Sequence, residues 1–466
     1  MNLTLKEIYK VFNKNFDFSK DERVKGISID TRTLKKGDVF FAIKGENTDG
    51  HNFIGDAFKK GAILTIAEKY EDKKIINVKD TKEALLKLAA YYLDKMEKVK
   101  VIAITGSNGK TTVKEILNKI FAEKIDKKII AKSPKSFNNI IGIPLTIFEL
   151  NKDHKILILE IGMNKAGEIK KITEFIKTDV AVITNVGLSH IGLLKSKKNI
   201  ARAKSEIFYG LKKFGIAVLN RDDEYYEFLS KRAGKIVKDV RLCSFGTSEE
   251  ADLRISGIRN NNGRVSFNME TKKEKVNVYT QLPGIHNAYN VAAAAAASSF
   301  FGIKLSDVKN AMKDFRLKNM MRLEERHHGG ITVIRDCYNA NPDSFKAALQ
   351  FLKEKKFNNV IAVIGDMYEL GTWTRKFHND VGGLFADVEL KKLIATGKYS
   401  DYYLEGFVKS GGDRNVVRIF NFNQKKQMSD YLSGIIKKGD TLFLKGSRKN
   451  KLEEILDNLK FIYKRR

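Results

Sequence analysis

Short, nearly continuous apolar runs recur along the chain and alternate with segments whose apolar residues follow a helical spacing. Residues 99–105, 155–162 and 179–187 are runs of the first kind, whereas residues 81–97 place apolar side chains three and four positions apart. A continuous run is typical of a strand buried on both faces of a parallel sheet, and the other spacing predicts an amphipathic helix. Their alternation predicts an α/β fold with helices on both faces of a parallel sheet.

The same pattern divides the 466 residues into three predicted domains, in keeping with about 100–200 residues per domain. Residues 1–80 predict a small α/β unit, residues 81–315 a central parallel-sheet domain, and residues 316–466 a Rossmann-like α/β domain. Residues 251–282 predict a short antiparallel excursion with a turn at 260–264. The strands predicted in the last domain are 330–336, 359–366, 392–397, 416–421 and 440–446.

Basic residues outnumber acidic residues by 86 to 56, which gives a formal net charge of +30. Such a charge is compatible with nucleic-acid binding, but it also results when lysines are spread over solvated faces, and a nucleic-acid footprint requires clustering. Lysines occur throughout this chain, and basic runs such as Lys195, Lys197 and Lys198 are short. We therefore expect no nucleic-acid partner, although a positive field would attract anionic substrates.

The chain has no segment of the kind that enters or crosses a membrane. No stretch reaches the roughly 18 apolar residues of a membrane span, and residues 1–16 mix charged and apolar side chains instead of forming a signal-peptide core. We expect a soluble, cytoplasmic protein. Cys243 and Cys337 lie far apart in the sequence, which argues against a disulfide framework and a cysteine-ligated metal.

A phosphate-binding loop is the strongest local signal. Residues 103–117 (AITGSNGKTTVKEIL) lead from a buried strand through a glycine-containing turn into a helix. Backbone N–H groups of such a turn and the helix N-terminus bind phosphate. The sequence departs from a full Walker motif because Ile104 stands where the first glycine would be. The other interpretation is an ordinary strand-to-helix turn with a capping threonine. The residues expected to bind nucleotide are Gly106, Ser107, Asn108, Gly109, Lys110, Thr111 and Thr112.

Glu160 and His190 follow two of the predicted strands and are candidate metal ligands. Side chains at the carboxyl ends of parallel strands face the ligand site of an open α/β sheet. A carboxylate suits Mg²⁺, whereas a histidine taken alone is more often structural. Lys204, within ARAKSEIF, reads from spacing alone as a surface lysine of a helix.

Several segments together resemble the Mur ligase family, which also includes the folylpolyglutamate synthetases. The matching segments are 105–112, 160–169, 184–192, 201–207, 220–223 and 283–290. This resemblance implies an ATP-dependent, ADP-forming carboxylate–amine ligase whose site holds two Mg²⁺ ions. It implies that Thr111, Glu160 and His190 are metal ligands and that Lys204 is carbamylated beside the second ion. Lys110 and Arg322 are the further residues expected to act in catalysis.

Within the family, the chain resembles the branch that joins D-alanyl-D-alanine to UDP-N-acetylmuramoyl tripeptide in peptidoglycan synthesis. The segments that carry this are 136–147, 336–349, 365–371 with His378 after it, and 445–456. The resemblance implies that Asn287 and Asn290 contact adenine, Arg322 the ATP phosphates and Asp336 the ribose. Members of the family are usually monomers, and we expect a monomer here. Because ATP is expected on the central domain while Arg322 and Asp336 lie at the start of the third, we predict that the third domain moves in when substrates bind.

The resemblance further implies a UDP-binding role for residues 1–80, because 29–45 and 49–62 are similar to a domain found in this branch and its tripeptide-forming relative. Turn chemistry is the other interpretation there, and a core position is the other interpretation for Tyr338. His327 and His328 read as exposed turn residues, and Cys337 as a packing residue. The residues expected to bind the UDP-tripeptide or the dipeptide are Thr31, Arg32, Lys44, Asp49, His51, Asn138, Asn139, Tyr338, Asn339, Asn341 and Ser344.

Three other functions compete with this hypothesis. The tripeptide-forming ligase shares the chemistry, but a different sequence is expected there around 336–343. A nucleic-acid-dependent ATPase would require basic clusters or stacking platforms, and the sequence shows neither. A non-catalytic interaction protein would not need Lys110, Thr111, Glu160 and His190 together.

Overall fold

The computed structural model describes residues 1–17, 20–70, 72–134, 137–261, 264–317 and 320–459. Three sheets of four, nine and six strands follow one another along the chain, and helices cover them, so the predicted α/β fold class is confirmed. In the part of the chain that is described, no helix has the length and apolar character needed to cross a bilayer.

The N-terminal sheet contains four parallel strands in the order β1-β2-β3-β4. Its two inner strands are buried on both faces, which explains their continuous apolar runs. The elements are α1 (Leu5–Val11), β1 (Ile27–Ser28), β2 (Val39–Phe41), α2 (Ile54–Lys59), β3 (Leu64–Ala67), β4 (Ile75–Asn77) and α3 (Thr81–Asp94).

The central sheet has nine strands in the order β13-β12-β11-β10-β9-β8-β5-β7-β6. Its strands are β5 (Lys100–Thr105), β6 (Ile130–Lys132), β7 (Ile156–Glu160), β8 (Thr178–Ile183), β9 (Leu211–Asn220), β10 (Arg241–Gly246), β11 (Leu253–Asn261), β12 (Arg264–Glu270) and β13 (Lys275–Thr280). Its helices are α4 (Lys110–Lys124), α5 (Gly142–Phe148), α6 (Glu168–Thr173), α7 (Ile191–Leu194), α8 (Lys197–Lys204), α9 (Tyr226–Ile236), α10 (His286–Ser299) and α11 (Leu305–Met312).

Alternate residues of the central strands enter two different hydrophobic clusters. Ile102 and Ile104 of β5 pack on one face with α4, α10 and α11, whereas Val101 and Ala103 pack on the other face with α3 and α5. The sheet is therefore covered on both sides, as its apolar runs predict. Strands β11, β12 and β13 pair antiparallel, which confirms the predicted excursion; Asn262 and Gly263 of its predicted turn lie outside the described residues.

The C-terminal sheet has the strand order β14-β15-β19-β16-β17-β18. Its strands are β14 (Glu324–His328), β15 (Ile331–Asp336), β16 (Val360–Gly365), β17 (Leu390–Thr396), β18 (Val417–Phe420) and β19 (Thr441–Lys445). Its helices are α12 (Pro342–Lys355), α13 (Thr374–Phe385), α14 (Ser400–Lys409), α15 (Lys425–Ile435) and α16 (Glu454–Asp457). Every pairing is parallel except that of β14 with β15.

Strand β14 corrects one expectation from the sequence. His327 and His328 are exposed, but they lie on this edge strand and not in a turn. The turn is formed by the next two residues, Gly329 and Gly330, whose φ angles are 60° and 80°. Two consecutive residues with positive φ match the twist of a tight hairpin, so the two glycines bring His328 opposite Ile331.

Candidate active site

The phosphate loop lies between β5 and α4 and requires both of its glycines. A Cβ atom on Gly106 would lie 1.8 Å from Thr184 Oγ1, and one on Gly109 would lie 2.3 Å from Asn290 Oδ1. Gly109 also has a φ of 85°, a conformation that side chains other than glycine adopt at a cost. The loop can therefore follow this path only with glycine at both positions.

Side chains at the end of β8 hold the loop from beneath. The N–H of Asn108 donates to Asn185 Oδ1 at 3.0 Å, and Thr184 Oγ1 donates to the Asn108 carbonyl at 2.6 Å. Ser107 exchanges hydrogen bonds with Gly187 of the same segment. Thr184 and Asn185 were not assigned a role from the sequence, although their position directly after a central strand was a usable signal.

Lys110 begins α4 and folds back over the loop. Its Nζ donates to the Gly106 carbonyl at 2.7 Å. Burial lowers the pKa of Lys110, and the nearby carboxylate of Glu160 acts in the opposite direction. The ammonium group is thus positioned at the point where the backbone can surround a phosphate.

Glu160 ends β7 beside the loop and is almost completely buried, at 2% exposure. Its Oε2 accepts a hydrogen bond from Thr111 Oγ1 at 2.8 Å, and its Oε1 accepts one from Asn138 Nδ2 at 3.0 Å. The buried ammonium of Lys114 lies 3.8 Å from Oε2. The structure therefore brings the predicted residues Thr111, Asn138 and Glu160 together, with Lys114 as a neighbour that the sequence did not reveal.

The donor set around Glu160 fits magnesium. A carboxylate and a hydroxyl are hard oxygen ligands, and Mg²⁺ usually keeps several waters and binds substrate phosphates instead of a full protein cage. Among the described residues, no group of three His, Cys, Asp or Glu side chains is arranged to enclose a metal. Such an open arrangement suits an ion that arrives with a nucleotide.

Arg322 reaches the loop from the C-terminal sheet. Its Nη2 donates to Thr111 Oγ1 at 3.2 Å, and its guanidinium lies 4.6 Å from the ring centre of Tyr338. A cation above an aromatic face is attracted by the ring, so the half-buried Tyr338 fixes the direction of this arginine.

His190 precedes α7 and faces the C-terminal domain. Its Nδ1 lies 2.5 Å from Glu369 Oε2. The contact with His190 holds the pKa of the Glu369 carboxyl below its usual range. Glu369 was not predicted as a site residue, although it lies within the quoted segment 365–371.

Lys204 closes α8 and is not the surface lysine that spacing alone suggests. It is 1% exposed, and its Nζ has no hydrogen bond or ion pair to another described residue. Burial lowers its pKa well below the ordinary value, and the charge of Lys110 acts in the same direction. The structure thus holds a buried amine near the loop that favours the uncharged form.

A cavity of about 840 Å³ opens between the central and C-terminal sheets beside the loop. Asn287 and Asn290 of α10 line it, and Asn290 Nδ2 donates to Asn287 Oδ1 at 2.8 Å. His286, which the sequence left without a role, lines the same cavity, and burial lowers its pKa. Thr112 is another lining residue. The cavity therefore joins the predicted adenine residues to the phosphate loop.

Asp336 enters this cavity from the end of β15. Its Oδ2 lies 2.5 Å from Nζ of the buried Lys445, and its Oδ1 accepts the N–H of Leu323 at 3.3 Å. Both oxygens are thus anchored while the carboxylate still lines the cavity. Lys445 was not predicted and neutralises this buried acid.

Asn341 connects α12 to the phosphate loop. Its Oδ1 accepts the N–H of Ser344, which caps the helix, while its Nδ2 donates to Asn108 Oδ1 at 3.0 Å and to Ser189 Oγ at 2.8 Å. Beside it, Asp343 Oδ2 accepts the N–H of Leu188 at 2.8 Å. The C-terminal domain is therefore docked on the loop in this structure.

A second cavity of about 170 Å³ lies next to His190. The predicted substrate residues Asn339 and Asn341 line it together with Arg448 and Lys449. Asn139, predicted beside Asn138, is instead exposed and accepts the N–H groups of Ile141 and Gly142 at the start of α5.

The five predicted UDP contacts lie in the segments that follow β1 and β2 of the N-terminal domain, and none lines either cavity. Arg32 is paired with Asp30, and its side chain is 86% exposed. Both ring nitrogens of His51 are engaged: Nδ1 lies 2.6 Å from Asp49 Oδ1, and Nε2 accepts the N–H of Glu68. Lys44 is exposed and pairs through its backbone with Asp49, and the Thr31 carbonyl accepts Nζ of Lys60.

Comparison with known proteins decides the family. Residues 23–93, 104–298 and 321–448 match the Mur ligase family catalytic domain, the Mur ligase middle domain and the Mur ligase glutamate ligase domain, respectively. A UDP-N-acetylmuramoyl-tripeptide–D-alanyl-D-alanine ligase of Bacillus subtilis (strain 168) is 31% identical over 94% of this chain and 93% of its own length. The chain belongs to the Mur ligase family.

Solved structures of Mur ligases share the whole fold. MurF from Acinetobacter baumannii aligns with a TM-score of 0.87 at 29% identity over 98% of both chains. MurF ligase from Thermotoga maritima in complex with ADP aligns with a TM-score of 0.79 at 25% identity, over 94% of this chain and 97% of the other. The family and the ATP-dependent ligase class predicted from the sequence are thereby confirmed.

Proposed function

We propose that this Mur ligase joins D-alanyl-D-alanine to UDP-N-acetylmuramoyl tripeptide and converts ATP to ADP and phosphate. Relatives with this name match at about 30% identity over nearly the whole chain. The observation that carries the proposal is the phosphate loop with Thr111 bonded to Glu160 and covered by Arg322 from the C-terminal domain. That arrangement supports a nucleotide site between the central domain, which would bind it, and the C-terminal domain, which would cover it.

The proposed reaction forms an acyl phosphate. The free carboxylate of the tripeptide attacks the γ-phosphorus of ATP and ADP leaves; the dipeptide amine then attacks the acyl carbon and phosphate leaves. Two anions must first approach each other, and Lys110 and Arg322 offset their repulsion and stabilise charge on the transferring group. Magnesium held by Thr111, Glu160 and His190 would supply further positive charge at the phosphate oxygens.

The environment of Lys204 supports its carbamylation. An amine must be uncharged to combine with CO₂, and burial with a lowered pKa provides that form. The carbamate would supply the anionic group that Lys204 lacks as an amine. Activity should fall in CO₂-depleted buffer and return with bicarbonate, and intact-protein mass spectrometry should show one added CO₂ that Lys204→Arg lacks; activity independent of bicarbonate would refute this role.

The second cavity is the place we assign to D-alanyl-D-alanine. It is the size of a small dipeptide, at about 170 Å³, and it lies beside His190. Arg448 and Lys449 line it and offer cations to the terminal carboxylate. Arg448→Gln should raise the KM for the dipeptide while the KM for ATP stays constant. Equal KM values for the dipeptide in both proteins would exclude this site.

The segments that follow β1 and β2 are the proposed site for the UDP group, with Thr31, Arg32, Lys44, Asp49 and His51 as the candidates. Since both nitrogens of His51 are engaged by the protein, its part is to orient Asp49, and the exposed cations Arg32 and Lys44 are the candidates for diphosphate. Titration of UDP into Arg32→Gln should show weaker binding than titration into the matched exposed variant Arg414→Gln.

Phosphate release tests the function as a whole. ATP and Mg²⁺ are supplied with UDP-N-acetylmuramoyl tripeptide and D-alanyl-D-alanine, separately and together, and release is expected only with both. Release instead with a UDP-muramoyl dipeptide and a diamino acid would assign the preceding step. Release stimulated only by nucleic acid would refute the ligase. The predicted monomer is checked by sedimentation of the same preparation.

A further inference from the structure

Glu369 approaches the candidate ligand His190 from a different domain. The two residues follow strands of different sheets, β8 of the central sheet and β16 of the C-terminal sheet. Both have φ angles of 64°, a conformation that costs energy in residues with a Cβ atom. Strained backbone at two facing side chains indicates that the surrounding structure holds this contact in place.

The backbone segments next to His190 and Glu369 are in direct contact with each other. The N–H of Gly192 donates to the Glu369 carbonyl at 2.9 Å. A Cβ atom on Gly192 would lie 2.3 Å from the nitrogen of Gly371, and one on Gly371 would lie 2.9 Å from the Cα of Gly192. The two glycines therefore allow the two loops to come into contact. This contact places the Glu369 carboxylate against the imidazole of His190.

The loop that carries Glu369 is held by hydrogen bonds to other residues of the C-terminal domain. Nε2 of the buried His378 accepts the N–H of Met367 at 3.0 Å, while its Nδ1 lies 2.7 Å from the Thr374 carbonyl. On the other side, the N–H of Tyr368 donates to Ser447 Oγ at 3.2 Å. Glu369 is thus held in place by the C-terminal domain.

We propose that Glu369 is a positioning residue that orients His190 for metal binding, so that the metal site is complete only when the C-terminal domain is docked. Histidine ligands commonly direct their second ring nitrogen to a carboxylate, which fixes the ring and raises its basicity. Here Nδ1 faces Glu369 at 2.5 Å, and Nε2 is the nitrogen left for a metal. The inference rests on the proposed role of His190 as a ligand.

In this arrangement, metal binding and docking of the C-terminal domain each favour the other. Undocking would remove the carboxylate and free the ring, so the undocked enzyme would bind metal more weakly. Because linked equilibria are reciprocal, metal and nucleotide would in turn favour docking. Hydrolysis of the acyl phosphate would be limited, since the site becomes complete only when the covering domain is in place.

The test measures metal binding directly, apart from catalysis. Mn²⁺ serves as a paramagnetic probe and is titrated into full-length enzyme saturated with ADP. The variants are Glu369→Gln, which removes the charge; Gly192→Ala, which blocks the approach of the loops and leaves both side chains intact; and Glu389→Gln, a control on an exposed glutamate whose carboxylate contacts no other polar side chain among the described residues. The Mg²⁺ dependence of phosphate release is recorded in parallel.

Both Glu369→Gln and Gly192→Ala should weaken Mn²⁺ binding by about 10- to 100-fold, and Glu389→Gln should match the wild type. High Mg²⁺ should restore most of the rate of Glu369→Gln, because the variant changes affinity more than chemistry. Unchanged Mn²⁺ affinity in Glu369→Gln would overturn the positioning role, and a loss restricted to Glu369→Gln would overturn the dependence on docking. If wild-type enzyme fails to ligate the proposed substrates, the proposed function fails, while the Mn²⁺ titrations still decide this inference.

Discussion

Replacement of Lys114 by methionine removes a buried charge beside the candidate metal ligand with little change in volume. The side chain of Lys114 is fully buried. Its Nζ donates to the Ser133 carbonyl at 2.8 Å and lies 3.6 Å from Glu115 Oε1 and 3.8 Å from Glu160 Oε2. Burial lowers the pKa of Lys114 and the two carboxylates act against that shift, so the ammonium and the acids stabilise one another.

The cost of this change can be estimated from the pair itself. Removal of one partner from a buried ion pair costs about 3–5 kcal/mol. Glu160 keeps its hydrogen bonds from Thr111 and Asn138, so we expect the lower end, about 3 kcal/mol. A loss of that size makes local opening of α4 and β7 roughly 100-fold more frequent. Hydrogen exchange of peptides that cover these two elements measures this rate.

Two further variants make the result decisive. Lys119→Met, on the same helix but partly exposed and paired with Glu123, should change exchange by less than about 0.5 kcal/mol. Lys114→Met combined with Glu160→Gln should lose less than Lys114→Met alone, because no unpaired acid remains. Equal exchange in Lys114→Met and Lys119→Met, or an undiminished loss in the double variant, would refute the reasoning.

Three other predictions concern the loop, the docking contact and pH. Gly109→Ala should lower ADP affinity by roughly 10- to 100-fold in a calorimetric titration, since overpacking costs about 1–3 kcal/mol. The control Gly167→Ala has a φ of 89° and no atom within 4 Å of the added carbon, so it should leave ADP affinity unchanged. Equal losses of affinity in the two variants would contradict the steric cause. Asn341→Asp keeps the cap of α12 but loses the hydrogen bond that Asn341 donates to Asn108 across the two domains. The C-terminal domain should then dock less tightly, and small-angle scattering should show a larger radius of gyration. An unchanged radius would count against a docking role for Asn341. Burial lowers the pKa of His378 from 6.5 to about 4, so the unfolded chain takes up the proton first as pH falls. The free energy of unfolding should therefore drop by up to about 3 kcal/mol between pH 6.5 and about pH 4. Identical pH slopes of unfolding for wild type and His378→Gln would disprove this prediction.

Much of the fold could be predicted because the strands inside the three sheets, such as β5, β7, β8, β16 and β19, are buried on both faces. Residues 99–105 form β5 at 100–105, and residues 440–446 form β19 at 441–445, since a doubly covered strand is apolar throughout. Strand β14 was missed because Glu324–His328 is an exposed edge without apolar alternation. Its pairing depends on the two glycines of the following turn and not on its own side chains.

Site residues could be predicted where the residue type itself indicates the chemistry. They could not be predicted where the role of a residue depends on its burial in the folded protein. Glycines, a lysine and threonines in the loop indicate phosphate by themselves. Lys114 and Lys204 both lie on helices and look like surface lysines until the structure places them inside. Asn341 was predicted to bind substrate, yet its amide spans two domains, and such a long-range partnership leaves no local signature.

The position of β19 has a consequence for how this protein is made. This strand is late in the sequence but lies inside its sheet, between β15 and β16. The N-terminal and central sheets have all their strands once residues 77 and 280 have left the ribosome, whereas the C-terminal sheet lacks an interior strand until residue 445 emerges. The edges of β15 and β16 that pair with β19 must stay open until then. Vectorial synthesis therefore completes the nucleotide loop early and the domain that covers it last.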